Sequence, residues 1–240
     1  MWQQGFVGQL FRGARWNGHE TFEFLSRRRH EPGRCSKRRR QPPLCCNGSE
    51  WFDVLDPRDT KTIIGKKLRS EVHRDGDWHR AVHVWVFRTT DRSVLLQLRS
   101  AQKDTHPLCW DVSAAGHLHS GELDVLSAAK RELEEELGLA GSDPEPLFEV
   151  QSENVSESVQ DREVQTVYVL RVPRQKVPRE NSAVDESAAL PELRLQKEEV
   201  VRVRWMPITE YLTAVETRQV GYVPRPPAYI EQLRVALSAP

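Results

Sequence analysis

The chain has 240 residues, with 35 basic and 35 acidic side chains and a formal net charge of +0. That balance argues against a strongly basic nucleic-acid binder and against an acidic solvating segment, so no nucleic-acid partner is expected. No apolar run approaches the ~20 residues of a membrane helix, and no apolar stretch follows the first charges, so neither a membrane partner nor a secretory signal is expected.

The neutrality is the sum of two opposite parts. Residues 1–46 carry ten Lys and Arg against three acids, +7, which leaves 25 against 32, −7, for the rest. The basic runs 27–29 and 37–40 repel themselves, and Pro42-Pro43 blocks regular structure. They predict a disordered basic N-terminal extension over 1–49, ahead of one domain over 50–240. An Arg-rich, acid-poor N-terminus fits an organelle transit peptide, but Ser26 and Ser36 are its only serines. A nuclear address, a tether to an anionic surface and a plain extension stay open. The expected location is the cytoplasm, or a mitochondrion or plastid if the N-terminus is a transit peptide. Cys35, Cys45, Cys46 and Cys109 form neither a disulfide framework nor a zinc CxxC pair, which fits a reducing compartment. His30 with the three leading cysteines matches no known metal spacing.

From Glu50 the texture changes. Residues 51–56 (WFDVLD) read as a short strand and 56–60 as a turn. Residues 81–87 (AVHVWVF) and 93–99 (SVLLQLR) read as two arms of a hairpin turning near Thr90-Asp91-Arg92. A helix is predicted over 125–137, stopped by Gly138. Strands follow at 166–172 and 200–205, then helices from 208–215 and 229–237. Residues 173–197, with Pro173, Pro178 and Pro191, read as a long polar loop. This order implies an α+β domain with helices layered on a mixed sheet.

The chemistry concentrates in residues 116–139, GHLHSGELDVLSAAKRELEEELGL. At about 100° per residue, Leu126, Ala129, Leu133 and Leu137 share one stripe, the core face. Glu132, Glu135 and Glu136, spaced i, i+3, i+4, share an adjacent arc, whereas Glu134 points elsewhere. Three crowded carboxylates repel each other unless a cation sits among them. A hard divalent ion with oxygen ligands, Mg²⁺ above all, is the natural one, although a bare run of glutamates by itself fits a solvated charged face better.

The flanking residues decide between these. Gly116, then five residues, Glu122, and later Arg131-Glu132-Leu133-Glu134-Glu135-Glu136-Leu137-Gly138-Leu139 resemble the Nudix box of diphosphate hydrolases. The resemblance extends over about 50–240. It departs from the family at one point: eight residues, 123–130, separate Glu122 from Arg131 where the family has seven. The extra residue should bulge before the helix, which leaves the helical carboxylates in register and puts Glu122 in doubt, with Asp124 able to take over part of its role.

The resemblance implies a three-layer α/β/α Nudix sandwich and a Mg²⁺ (or Mn²⁺) cofactor. Glu135 and Glu136 would be the main metal ligands, Glu132 a further ligand or base, and the Gly116 carbonyl another ligand. Arg131 would orient a glutamate. Glu198 or Glu199 could supply a base. The substrate would be a small-molecule diphosphate: a nucleoside diphosphate derivative, a prenyl diphosphate or a related compound. Residues 71–87, 95–117 and 161–170 are similar to the branch containing type I isopentenyl-diphosphate isomerase and its hydrolase-like relatives. There a second metal site uses positions matched by His79, His117, Asp161 and Glu163; in a hydrolase-like relative the favoured reading is that His79 and His117 merely hydrogen-bond in the cleft. That isomerase needs a cysteine where this chain has Ala115, and its box is usually degenerate, whereas this one is intact. Hydrolysis is therefore the expected activity, with isomerase-like chemistry or a non-catalytic ligand-binding module as alternatives. Trp78, Trp85 and Trp110 could be core or line a pocket. The oligomeric state is not readable.

Overall fold

The computed structural model describes residues 50–103, 105–155, 160–173 and 193–238. The extension 1–49 and residues 174–192 of the polar loop lie outside them. Among the described residues, no helix is long and apolar enough to cross a membrane.

The sheet is built around one strand. β3 (Trp78–Arg88) is a near-continuous apolar run, as a strand covered on both faces requires. Val82, Val84 and Val86 point to one face, and Trp85 and Phe87 to the other. Along one edge β3 pairs in parallel with β8 (Gln160–Val172), from Trp78–Arg162 to Arg88–Val172. β8 pairs outward with antiparallel β7 (Glu145–Val155). The other edge of β3 is shared by three strands. β1 (Trp51–Asp56) meets it at Trp78, and β2 (Asp59–Leu68) lies outside β1. β6 (Ala114–His117) takes residues 81–84, and β4 (Ser93–Arg99) holds only Phe87 and Arg88.

The expected hairpin therefore forms only at its root. Beyond two pairs the arms diverge, and β4 turns to β9 (Val200–Pro207) and β5 (Trp110–Asp111). The Ser113 hydroxyl plugs the fork, accepting from Val86 N at 2.8 Å and donating to Leu95 O at 2.5 Å. The chain fills the opening, so Gly116 and His117 end in the middle of the sheet.

α2 (Val125–Leu137) covers one face, burying Ala129, Leu133 and Leu137 against Val82, Val84 and Leu95. α3 (Ile208–Glu216) and α4 (Pro227–Ser238) cover the other, with Tyr211, Tyr229 and Leu233 around Trp85. Each fully buried aliphatic or aromatic side chain contributes about 1.5–3 kcal/mol of transfer free energy. The result is the expected α/β/α sandwich. A small third cluster packs α1 (Arg69–Asp75) on β1 through Val72, Phe52 and Val54.

Candidate active site

α2 begins and ends as its sequence dictates. The Asp124 carboxylate caps it, accepting from Leu126 N, Ser127 N and the Ser127 hydroxyl. Gly138 closes it in the left-handed region, φ +74°, where its amide reaches Glu134 O. Asp124 is thus a helix cap and does not stand in for Glu122. The extra residue is absorbed before the helix, and Glu122 still accepts from Arg131 Nη2 at 3.3 Å.

Arg131 is the hub of the site. Nη1 donates to Glu132 at 2.6 Å and lies 3.4 Å from Glu135, and Nη2 donates to His117 O at 3.1 Å. Glu132 and Glu136 are buried, while Glu135 is exposed. Glu136 accepts from Gln97 Nε2 at 3.0 Å and from Ala115 N at 3.1 Å. The Glu132 carboxyl group presses on Gly116: a Cβ there would lie 2.0 Å from Glu132 Oε1. Gly116 is glycine because its backbone and the Glu132 carboxylate share that space.

Burial pushes Glu132 up to about 7, helped by Glu135 and opposed by Arg131. Burial and then Glu132 push Glu136 up to about 8. Two buried carboxyl groups that hold protons near neutrality are a donor set that a divalent cation fits, since its charge replaces those protons. Glu199 is half-buried and ion-paired with Lys103 beside these acids, whereas Glu198 is exposed.

On the opposite face of the sheet lies a second cluster. Candidate ligand atoms of His73, His79, His117 and Asp161 lie within 4.8 Å of one another. His79 Nδ1 donates to Asp77 O at 3.0 Å, which leaves Nε2 a bare lone pair. His79 is fully buried and stacks on Phe52, ring centroids 5.4 Å apart. Burial lowers its pKa, so it is neutral and able to ligate. His79 Nε2 and Asp161 Oδ1 are buried without a hydrogen-bond partner, 3.6 Å apart, as two metal donors would be. Burial, then Glu163, raises Asp161 to about 8. Glu163 accepts instead from His117 Nε2 at 2.9 Å and from Gln165 at 2.6 Å. Burial alone would raise its pKa, but the His117 hydrogen bond holds it well below the usual range.

Sequence reasoning missed His73, Gln97 and Lys103. His73 was legible in part: Glu71, whose carboxylate accepts from Leu68 N, and Gly76 at φ +68° bracket a short helix. Gln97 and Lys103 carry no motif. Of the tryptophans, Trp85 is core, while Trp78 and Trp110 are half-buried.

Residues 77–225, more than half of the chain, match the family model of the NUDIX domain. Nudix hydrolase 3 of Arabidopsis thaliana is 42% identical over 179 residues, covering 73% of this chain and 21% of that protein. Isopentenyl-diphosphate Delta-isomerase 1 of Aromatoleum aromaticum is 36% identical over 87 residues, covering 36% of this chain and 47% of that protein. The chain thus spans less than half the length of either relative. In fold it is similar to the crystal structure of DR0079 from Deinococcus radiodurans, with a TM-score of 0.53 at 21% identity, covering 78% of this chain and 99% of that one. Sandwich, forked strands, glycine against glutamate and arginine hub agree with the match, and the chain belongs to the Nudix family.

Proposed function

We propose that this chain is a Mg²⁺- or Mn²⁺-dependent hydrolase that cleaves a diphosphate linkage in a small molecule by attack of water on phosphorus. The observation that carries this reading is the pair Glu132 and Glu136, buried with raised pKa against the Gly116 backbone. In this reading Glu135, Glu136, Glu132 and the Gly116 carbonyl hold the cation. When bound, it neutralises phosphate oxygens and lowers the pKa of a water. The chain does the rest. Arg131 fixes Glu132 and, through Glu122, the loop before α2. Gln97 and Ala115 N orient Glu136. Glu132 or Glu199 takes the proton of the attacking water. His79, His117 and Asp161, joined by His73 and braced by Glu163, form a second cation site.

The substrate's second half has a place to go. A cavity of about 420 Å³ is lined by Ser152, Asn154, Tyr222 and Arg225 among others. Ser152 and Asn154 pair directly across the ladder with Glu163 and Asp161, so the cavity adjoins the histidine cluster. Nucleoside diphosphate derivatives and prenyl diphosphates are the classes to assay. The histidine cluster also favours a second reading, isomerase-like chemistry. Against it, Ala115 has no proton to give where that isomerase needs a cysteine.

A panel of diphosphates assayed with and without Mg²⁺ or Mn²⁺ tests the reading. Metal-dependent release of phosphate, pyrophosphate or a phosphate monoester is expected for at least one compound. Deuterium uptake into isopentenyl diphosphate without hydrolysis would contradict it.

A further inference from the structure

A buried carboxylate lies outside residues 77–225, the segment that matches the family. Asp53 sits in β1 with its side chain 9% exposed. Burying a charge costs free energy unless it is paired and hydrogen-bonded, so the partners of Asp53 define its role. Its Oδ1 accepts from the Ser120 hydroxyl at 2.7 Å, and its Oδ2 from Gly121 N at 3.1 Å and from Arg80 Nη2 at 3.1 Å. The same Arg80 nitrogen donates to Glu122 O at 3.1 Å. Each of these bonds therefore ends, directly or through Arg80, on the loop between β6 and α2.

That loop has the extra residue, and its own bonds fix only its shape. Glu122 N donates to His119 O at 2.9 Å, closing a turn in which Gly121 holds φ +84°. A turn closed on itself still has to be placed over the sheet. Two backbone bonds begin this, Ser120 N to Trp51 O at 2.7 Å and Leu118 N to Arg80 O at 3.0 Å. The Asp53 and Arg80 side chains then hold the tip, residues 120–122, from two strands at once. The tip carries the next contact inward. Glu122 Oε2 accepts from His119 N at 3.0 Å and from Arg131 Nη2 at 3.3 Å, and Arg131 Nη1 donates to Glu132 at 2.6 Å. A line of polar contacts thus runs from β1 to the buried glutamate of α2.

We propose that Asp53 and Arg80 are positioning residues for hydrolysis: they seat the lengthened loop so that Glu122 aims Arg131 and Arg131 aims Glu132. This rests on the reading of α2 as the hydrolytic site. Without the pair, the longer loop could settle in more than one place over the sheet. A misplacement of about 1 Å passed on to Glu132 is enough to slow a reaction by roughly 100-fold.

Amide hydrogen exchange and steady-state kinetics of the full chain test this together. Asp53→Ala removes the acceptor of Ser120, Gly121 and Arg80. Exchange of residues 117–124 should speed at least about tenfold while that of 128–137 in α2 is unchanged. With the best diphosphate substrate and saturating Mn²⁺, kcat should fall about ten- to 100-fold and KM stay within about threefold. In a Glu122→Ala background the same substitution should cost less than about twofold more, because the line is already broken. Ser120→Ala removes one bond and leaves the Asp53–Arg80 pair intact. It should show the same pattern at about two- to fivefold, and it decides the matter if Asp53→Ala does not fold. Unchanged exchange in 117–124, unchanged kcat, or the full loss repeated in the Glu122→Ala background overturns the proposal. If the unaltered chain hydrolyses no diphosphate, the hydrolase reading fails on its own, and exchange of 117–124 still shows whether Asp53 seats the loop.

Discussion

Gly116 shows how much one missing methyl group decides. Its absent Cβ is the space occupied by Glu132 Oε1. Gly116→Ala should push the Glu132 carboxylate aside and lower hydrolysis at least about tenfold, while the melting temperature changes little because the displaced atoms end a flexible side chain. A second residue carries a pH signature. Trp85 Nε1 donates to Tyr229 Oη, which is also hydrogen-bonded to His83 Nδ1 at 3.1 Å. Burial and then Arg225 lower the His83 pKa to about 4. The unfolded chain binds this proton near pH 6.5 and the folded chain does not, so stability falls as pH drops from about 6.5 to about 4, by roughly 3 kcal/mol in all. His83→Asn keeps a hydrogen-bonding side chain for Tyr229 and should flatten that slope in urea unfolding measured across this range. Glu132, Glu135 and Glu136 were legible because helical spacing is local. His83 was not, since its partner lies 146 residues away.

Among elements, α2 could be read to both ends because its signals are in its own sequence, the apolar stripe and Gly138. Asp124→Ala should cost about 1 kcal/mol of stability by removing the cap. Hydrolysis should persist, since Glu122 and not Asp124 braces Arg131. Chemical unfolding and a rate assay on the same sample check both halves. β2 was not legible: as an outer strand with Lys61, Ile63, Ile64 and Lys66 all exposed, it lacks the alternation that marks a half-buried strand. β7 was missed as well, with Pro146 near its start and a register shift between Pro146 and Phe148. The hairpin arms were right as strands, but their divergence depends on Ser113, outside both arms.

At the scale of the molecule, the sandwich followed from the order of strands and helices, while the two-sided site did not. β6 carries both faces: Gly116 meets the glutamates of α2, and the His117 ring joins His79 and Asp161 across the sheet. The −7 balance of residues 47–240 is concentrated in part at these two clusters. Burial raises the pKa of Glu132, Glu136 and Asp161, with Glu136 further raised by Glu132 and Asp161 by Glu163, so the metal-free fold should lose stability as pH rises from about 4 through about 8. Millimolar Mn²⁺ should raise the melting temperature and remove that decline, an effect scanning calorimetry with and without chelator reads directly. The central claim, that the helical glutamates hold the cation that activates hydrolysis, has its most direct test in Glu135→Gln. Turnover of the best diphosphate substrate should fall at least about 100-fold with the melting temperature unchanged. Hydrolysis by that variant at the rate of the unaltered chain would contradict it.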